Sequence, residues 1–123
     1  MKFIYICSRY KPDKNHSVAF HRAVAASACK TIIEENNCCM PVAPHLYFPQ
    51  FMDDENPEER EQALTYGKRI LQDCDRMKVL VVDGIISEGM KEEIKLAEGI
   101  MPIDYFYATK EEMEKIICET IGN

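Results

Sequence analysis

The sequence predicts an α/β fold of the flavodoxin or Rossmann-like type, a three-layer sandwich whose four- to five-stranded, mainly parallel sheet carries helices on both faces. Three observations predict it. Short apolar segments alternate with longer segments of helical periodicity. The chain has 123 residues, the length of one domain, and 46% of them are hydrophobic, which is enough for one core. Because right-handed crossovers join parallel strands, this alternation builds such a sheet from a single domain, residues 1–123.

The first third of the chain contains two predicted strands and one long helix. Residues 2–7 form a continuous apolar run, which is typical of a strand buried on both faces. Apolar side chains at helical spacing predict a helix over residues 16–35. Asn36 and Asn37 are expected to end this helix, because asparagine tolerates the left-handed conformation. A short strand is predicted at Cys39–Val42.

A proline-containing segment, a helix and a strand follow. Residues 43–51 combine two prolines with large apolar side chains, so we predict an ordered loop that packs its aromatic groups over another part of the molecule. Asn56 and Pro57 predict the start of a helix that runs to about Cys74. The valine-rich residues 77–82 are the clearest strand of the chain.

The end of the chain predicts a helix, a strand and a terminal helix. Ser87 is the expected N-cap of a helix that ends near Glu98. Residues 101–107 are rich in apolar and aromatic side chains and predict a strand. Thr109 and Glu112 have the spacing of a capping box, which opens the terminal helix.

Composition excludes several classes of function. The formal net charge is −6 and no Lys/Arg cluster is present, so duplex nucleic acid is not an expected partner. No apolar run approaches the ~20 residues needed to cross a bilayer, and we expect no membrane partner and a cytoplasmic location. The six cysteines lack zinc-ligand spacing, so we interpret them as reduced core residues. No metal is expected, and no cofactor, since no glycine-rich dinucleotide or P-loop motif is present.

The ligand site is expected where loops after three predicted strands meet. Sheets of this kind bind ligands beyond the carboxyl ends of their strands, where the strand order reverses. In the third such loop, Asp83 ends the strand, Gly84 gives backbone freedom, and Ser87 caps a helix whose free N–H groups could bind an anion. Glu93 lies further along that helix. It could face either a ligand or solvent.

The first of these loops and the histidines allow two interpretations each. Arg9 could bind a phosphate and Tyr10 could stack on a base, or both could belong to a hydrated surface loop. His45 could be a structural or a functional residue. We interpret His16 and His21 as surface and helix-face residues of the first helix, without a functional role.

Several motifs together resemble one known superfamily. They are Tyr5-Ile6-Cys7-Ser8, Ala43-Pro44-His45-Leu46, Phe48-Pro49-Gln50-Phe51, Cys74-Asp75 and Ser87-x-Gly89-Met90-x-x-Glu93-x-x-x-Ala97. These motifs, which span nearly the whole chain, resemble the nucleoside 2-deoxyribosyltransferase-like superfamily, and within it a short branch from phage and bacterial genomes.

The resemblance implies a chemistry and a ligand. In this superfamily a glutamate on a helix attacks the anomeric carbon of a (deoxy)ribosyl group, and the resemblance places Glu93 in that role. The expected partner is therefore a small-molecule nucleoside or nucleotide. With the loop residues above, the expected ligand contacts are Cys7, Ser8, Arg9, Tyr10, Asp83, Gly84, Ser87, Gly89 and Met90.

One position departs from the pattern of the active enzymes. Their aspartate that assists the departing base corresponds to Gly67, with Tyr66 beside it. Loss of a general acid lowers the rate by about 10²–10⁴-fold, unless His45 replaces it. Two functions stay open, an N-glycosidase or deoxyribosyltransferase and a non-catalytic protein that sequesters or senses a nucleotide signal, for instance in phage counter-defence. The resemblance also implies a homo-oligomer, and the apolar residues 46–52 suit a subunit contact.

Overall fold

The computed structural model describes residues 1–36 and 38–122 and confirms the α/β fold. Strands and helices alternate along the chain as predicted. The elements are β1 (Lys2–Cys7), α1 (Val18–Glu35), β2 (Cys39–Val42), α2 (Pro44–Tyr47), a 3₁₀ turn (Phe48–Gln50), α3 (Pro57–Gln72), β3 (Arg76–Val82), α4 (Glu88–Ala97), β4 (Ile103–Ala108) and α5 (Lys110–Thr120).

The four strands are all parallel and lie in the order β2-β1-β3-β4, so the sheet has the lower of the predicted strand numbers. Tyr5 in β1 lies beside Val42 on one side and Met77 on the other. The chain leaves β1 towards one edge of the sheet and then crosses back to form β3. The strand order therefore reverses between β1 and β3, and a ligand site is expected at the carboxyl ends of these two strands.

Helices cover both faces of the sheet. Helices α3 and α4 pack on one face, and α1 and α5 pack on the other. Buried residues of the first face include Tyr5, Leu71, Met77, Val79 and Met90. Those of the second include Ile6, Val24, Leu80 and Met113. Since successive side chains of a strand point to opposite faces, Tyr5 and Cys7 are directed towards α4.

Side chains cap the helices at the predicted positions. Asn56 accepts hydrogen bonds from the first turn of α3, and Ser87 accepts one from the first turn of α4. Thr109 and Glu112 form the predicted capping box of α5. Ser17 caps α1, whose first residue is therefore Val18 rather than residue 16.

The end of α1 differs from the prediction. Asn36 has an extended backbone, with φ −153°, and not a left-handed one. Its N–H still donates to the Ile32 carbonyl, and its side-chain oxygen accepts a hydrogen bond of 2.9 Å from the Cys38 N–H. The side chain therefore supports the turn that a left-handed residue would otherwise make. Asn37, the second predicted cap residue, lies outside the described residues.

The prediction of a loop over residues 43–51 is wrong about the backbone, because this segment contains α2 and the 3₁₀ turn. Pro44 and Pro49 each lie in a first turn, where a missing N–H costs no hydrogen bond. The expected aromatic packing is present, since the Tyr47 and Phe51 ring centroids lie 5.1 Å apart and Phe48 contacts Tyr66 at 6.1 Å.

The cysteines are only in part the core residues that we expected. Cys7 and Cys74 are buried in the core between the sheet, α3 and α4, whereas Cys118 on α5 is exposed. None of the helices formed by residues 1–36 and 38–122 has the length and apolar character needed to span a bilayer.

Candidate functional site

A cavity of about 680 Å³ opens beside the carboxyl end of β1, one of the two strands between which the strand order reverses. This volume lies in the range of small-molecule sites, about 300–1,000 Å³. The loop after β1, the α2 segment, helix α3 and the start of α4 form its wall. The expected site residues on the wall are Ser8, Arg9, Tyr10, His45, Ser87, Gly89, Met90 and Glu93. Most of the remaining wall comes from α3 and from residues 48–55, where we predicted no ligand contact.

Three expected ligand contacts do not line this cavity. Cys7 is fully buried behind the wall, and its thiol lies 3.8 Å from the Met90 carbonyl. Asp83 and Gly84 both have positive φ angles, 53° and 72°, which turn the chain sharply after β3. This turn directs the Asp83 carboxylate towards His16, on the side of the sheet that α1 and α5 cover.

Glu93 is a half-buried carboxylate on the cavity wall, and not a solvated surface side chain. The Tyr5 hydroxyl donates a hydrogen bond of 2.5 Å to its Oε2 atom. Burial raises the pKa of Glu93 above its usual range, and hydrogen bonds from Tyr5 and Cys7 partly oppose this shift. The carboxylate is therefore held in one orientation and available to a ligand in the cavity.

Tyr5 is the partner of Glu93, and reasoning from the sequence did not identify it as a site residue. Its side chain is 1% exposed, and its pKa is raised by burial and by the neighbouring charge of Glu93. The phenol therefore stays protonated and acts as a donor. Its position in the Tyr5-Ile6-Cys7-Ser8 motif was a signal, but its partner could be known only once α4 was placed against β1.

His45 is a poor candidate for a general acid. Its ring lies half-buried on α2, with its centroid 5.4 Å from that of Tyr10. Burial lowers the pKa of His45, and Asp54 and a hydrogen bond with the Ser8 backbone only partly oppose the shift. The imidazole is therefore mostly neutral at neutral pH. Its ring and that of Tyr10 are tilted by 53° to each other, so a flat, uncharged ring could stack on one of them and contact the other.

Arg9 lies on the wall but is already held by its own loop. Its Nη1 atom pairs with Asp13 at 3.3 Å, and its Nε donates to the Lys11 carbonyl at 2.9 Å. Acidic side chains also outnumber basic ones around the cavity. A phosphate would therefore have to share Arg9 with Asp13.

Gly67 lies on the wall formed by α3. A Cβ atom built at this position meets no other atom within 4 Å. The cavity wall therefore has room for a side chain at this position.

A second polar cluster lies outside the cavity and includes His16, which the sequence analysis wrongly placed on the surface. The side chain of His16 is 3% exposed, and its ring lies 2.8 Å from both Asp13 and Asp83. Asp83 also accepts from the Lys110 N–H at 2.9 Å, and the Lys110 ammonium donates to Asn15. Hydrogen bonds to Asp83 and Asp13 raise the pKa of His16. This cluster ties the loop that carries Arg9 to the end of β3 and the start of α5.

His21 is also buried, in contrast to the prediction. It is 5% exposed, and its Nε2 atom has no hydrogen-bond partner among the described residues. Burial lowers its pKa to about 4, and the charges of Arg9 and His16 add to the shift. Both histidines were missed because their burial depends on packing between α1 and the rest of the molecule, which no local pattern shows.

The low pKa of His21 makes stability depend on pH. In the unfolded chain this histidine binds a proton near pH 6.5, but in the folded protein only near pH 4. Its contribution is present above pH 6.5 and is lost as the pH falls from 6.5 to 4. In His21→Gln we expect this loss to shrink by roughly 1–3 kcal/mol. Urea unfolding of the wild type and of His21→Gln between pH 4 and 6.5 measures this difference. If the free energies of unfolding of the two proteins fall in parallel with pH, the prediction is wrong.

Comparison with known protein families finds one family model that matches most of this chain. The model of the domain of unknown function DUF7768 matches residues 2–106, and the chain belongs to this family. A search of the curated proteins finds no match.

Proposed function

We propose that this DUF7768 domain binds a nucleoside or nucleotide in the cavity and cleaves or transfers its N-glycosidic bond, with Glu93 as the nucleophile. The observation that carries the proposal is the position of Glu93, on the cavity wall and hydrogen-bonded to Tyr5 at 2.5 Å. The cavity also lies at the strand-order reversal, where sheets of this type bind ligands. The motif around Glu93 supports the reaction, because the resembling superfamily uses a glutamate on a helix for this chemistry.

The proposed reaction has two steps. The Glu93 carboxylate attacks the anomeric carbon, and the base leaves with the electrons of the glycosidic bond and takes a proton from water. Water or a second base then attacks the anomeric carbon, the bond to Glu93 breaks so that the carboxylate is released, and the attacking group gives its proton to the hydroxide left by the first step. Tyr5 orients the nucleophile and stays protonated throughout. The surface of Tyr10 and His45, with ring centroids 5.4 Å apart, would hold the base.

A second candidate function is nucleotide binding without turnover. Two observations favour it, the absence of a side chain at Gly67 and the lowered pKa of His45. Neither position supplies a proton to a departing base at neutral pH. In this alternative the same cavity sequesters or senses a nucleotide signal.

One experiment separates the two functions. The purified protein is incubated with a panel of nucleosides, nucleotides and cyclic nucleotide signals, and mass spectrometry measures both the products and the ligand that remains on the protein. Free base in the product supports the enzyme. An intact nucleotide released only on denaturation supports the binding protein. If the whole panel gives no free base and leaves no ligand on the protein, the proposal is overturned.

The role of Tyr5 predicts a shift in the pH profile. Tyr5→Phe removes the hydroxyl but keeps the buried ring, and the pKa of Glu93 should rise further because a hydrogen bond that lowers it is lost. The nucleophile must be ionised, so the acid limb of the rate profile should move to higher pH. We expect about a tenfold lower rate at neutral pH. Tyr105→Phe, at an exposed tyrosine of β4, is the control. An unchanged acid limb would contradict the role.

Arg9 tests whether a phosphate is recognised. We expect Arg9→Ala to weaken binding of 5′-phosphorylated ligands by about tenfold, and that of free nucleosides less, since charged hydrogen bonds contribute about 1.5–3 kcal/mol. Isothermal titration of paired ligands measures the difference. Equal losses for both ligands would assign Arg9 to its loop alone, through Asp13.

A further inference from the structure

The two edges of the sheet differ in the hydrogen-bond donors that they present. In β2 the Cys38 carbonyl faces β1, where it accepts from the Lys2 N–H at 3.0 Å. Because backbone groups alternate along a strand, residues 39 and 41 face outward. The Cys39 N–H donates to the Asn36 carbonyl at 3.2 Å, and Pro41 has no N–H. Within the described residues, β2 therefore offers no donor to another strand.

The opposite edge, at β4, is open. The carbonyls of Pro102 and Ala108 accept from β3, at 3.0 Å and 2.9 Å, so residues 103, 105 and 107 face outward. No hydrogen bond of the described part of the chain uses the outward N–H groups of Tyr105 and Tyr107. An edge strand of this kind can pair with a strand from another chain unless charges, prolines or bulges protect it. Asp104 is the one charged residue of β4, and it is paired with Arg76 at 3.0 Å.

Exposed aromatic side chains flank the open edge on both faces. Tyr105 and Tyr107 are stacked, with ring centroids 6.1 Å apart and an interplanar angle of 14°, and they are 43% and 67% exposed. They extend the face on which Val79 and Val81 are buried, since each lies beside one of these valines. On the other face Phe106 is 38% exposed. The three aromatic side chains offer on the order of 300 Å² per copy, against about 800 Å² per partner in a stable interface.

We infer that β4 is a docking edge for a second copy of this chain, which pairs its own β4 in the antiparallel direction across a two-fold axis. The edge is complementary to itself. With the axis at Phe106, Tyr105 lies opposite Tyr107 of the second copy and Phe106 lies opposite its equivalent. Asp104 then faces Ala108, so no two carboxylates meet. The outward N–H and C=O groups of Tyr105 and Tyr107 pair across the axis, and cross-strand aromatic pairs add to the stability. The backbone pairing supplies interface area in addition to that of the aromatic rings.

This inference places the contact between subunits at β4. The sequence analysis had suggested residues 46–52 for that contact. The aromatic residues of that segment pack on one another, for example Tyr47 on Phe51. They have no row of unpaired backbone donors comparable with that of β4. The β4 contact also leaves the cavity untouched, since no residue of β4 lines it. Its success or failure is therefore independent of the proposed catalytic function.

Sedimentation equilibrium over the micromolar range, with hydrogen exchange of the wild-type protein, tests the inference. We expect a dimer, and Tyr107→Lys should weaken it by at least about tenfold, because two charges are added beside the pairing edge. Tyr47→Lys, at the other exposed aromatic cluster, should leave the dimer unchanged. The amide protons of Tyr105 and Tyr107 should exchange more slowly as the protein concentration increases.

Several outcomes would overturn the inference. A wild-type protein that is monomeric throughout the range would do so. So would a dimer that Tyr47→Lys dissociates and Tyr107→Lys does not, because it would assign the contact to residues 46–52. Hydrogen exchange keeps the test independent of the variants, since amide exchange at Tyr105 and Tyr107 that does not depend on concentration contradicts the pairing even if both variants misfold.

Discussion

Glu93→Gln is expected to abolish base release while the protein remains folded. The amide cannot attack the anomeric carbon, but its oxygen can still accept the hydrogen bond from Tyr5, which the glutamate accepts at 2.5 Å. Removal of an essential nucleophile lowers turnover by about 10³-fold or more. The rate of base release, measured by mass spectrometry, and the thermal unfolding midpoint together test the prediction.

The control for this variant is Glu98→Gln. Glu98 is an exposed glutamate at the end of α4, away from the cavity wall. The Glu98→Gln substitution removes the same charge from the same helix, but away from the cavity. We therefore expect a rate close to that of the wild type. If both variants retain full activity, Glu93 is not the nucleophile. If Glu93→Gln loses ligand binding as well as turnover, the carboxylate contributes to binding, and the lost turnover no longer identifies Glu93 as the nucleophile.

The second large effect is a gain of activity in Gly67→Asp. The position lies on the cavity wall and a Cβ atom there meets nothing within 4 Å, so the new carboxyl group has room. If this group donates a proton to the departing base, base release should increase by about 10²-fold or more, the usual contribution of a general acid. The cost to stability is small, since aspartate and glycine are both weak helix formers.

Gly67→Asn separates acid catalysis from a change of shape. Asparagine has nearly the same size as aspartate but no acidic proton, so its rate should stay near that of the wild type. Equal rates for the two variants would show that the residue at this position does not act as an acid. A wild type without measurable activity, together with an active Gly67→Asp, would support a binding protein on the scaffold of an earlier enzyme.

Local signals explain why most of the fold could be predicted. The N-caps Asn56 and Ser87 and the capping box of Thr109 act within one helical turn, so a short stretch of sequence contains both partners. The apolar strands β1 and β3 were equally clear. The α2 segment was not, because prolines that suggest a loop are also tolerated in the first turn of a helix.

The parts of the site that escaped prediction depend on contacts between distant residues. Tyr5 meets Glu93 across the interface of β1 with α4, and His16 meets Asp83 only after α1 has packed on the sheet. Asp83 was expected at the ligand because it ends a strand near the order reversal. The Asp83-Gly84 pair is typical of a tight turn with positive φ angles, but the partner towards which this turn directs the carboxylate is known only once His16 is placed.

Pro41 limits how far the sheet can grow. A sheet whose two edges can both pair with other copies can grow into a fibre. A sheet with one such edge binds a single partner, and growth then stops. In β2, Pro41 lies at an outward position and the Cys39 amide is already engaged, so one end of the sheet is closed. Pairing at β4 would then stop at two molecules. Replacing this proline would restore one outward N–H to β2, while the Cys39 amide would stay engaged with Asn36, so the edge would be only partly opened to further copies.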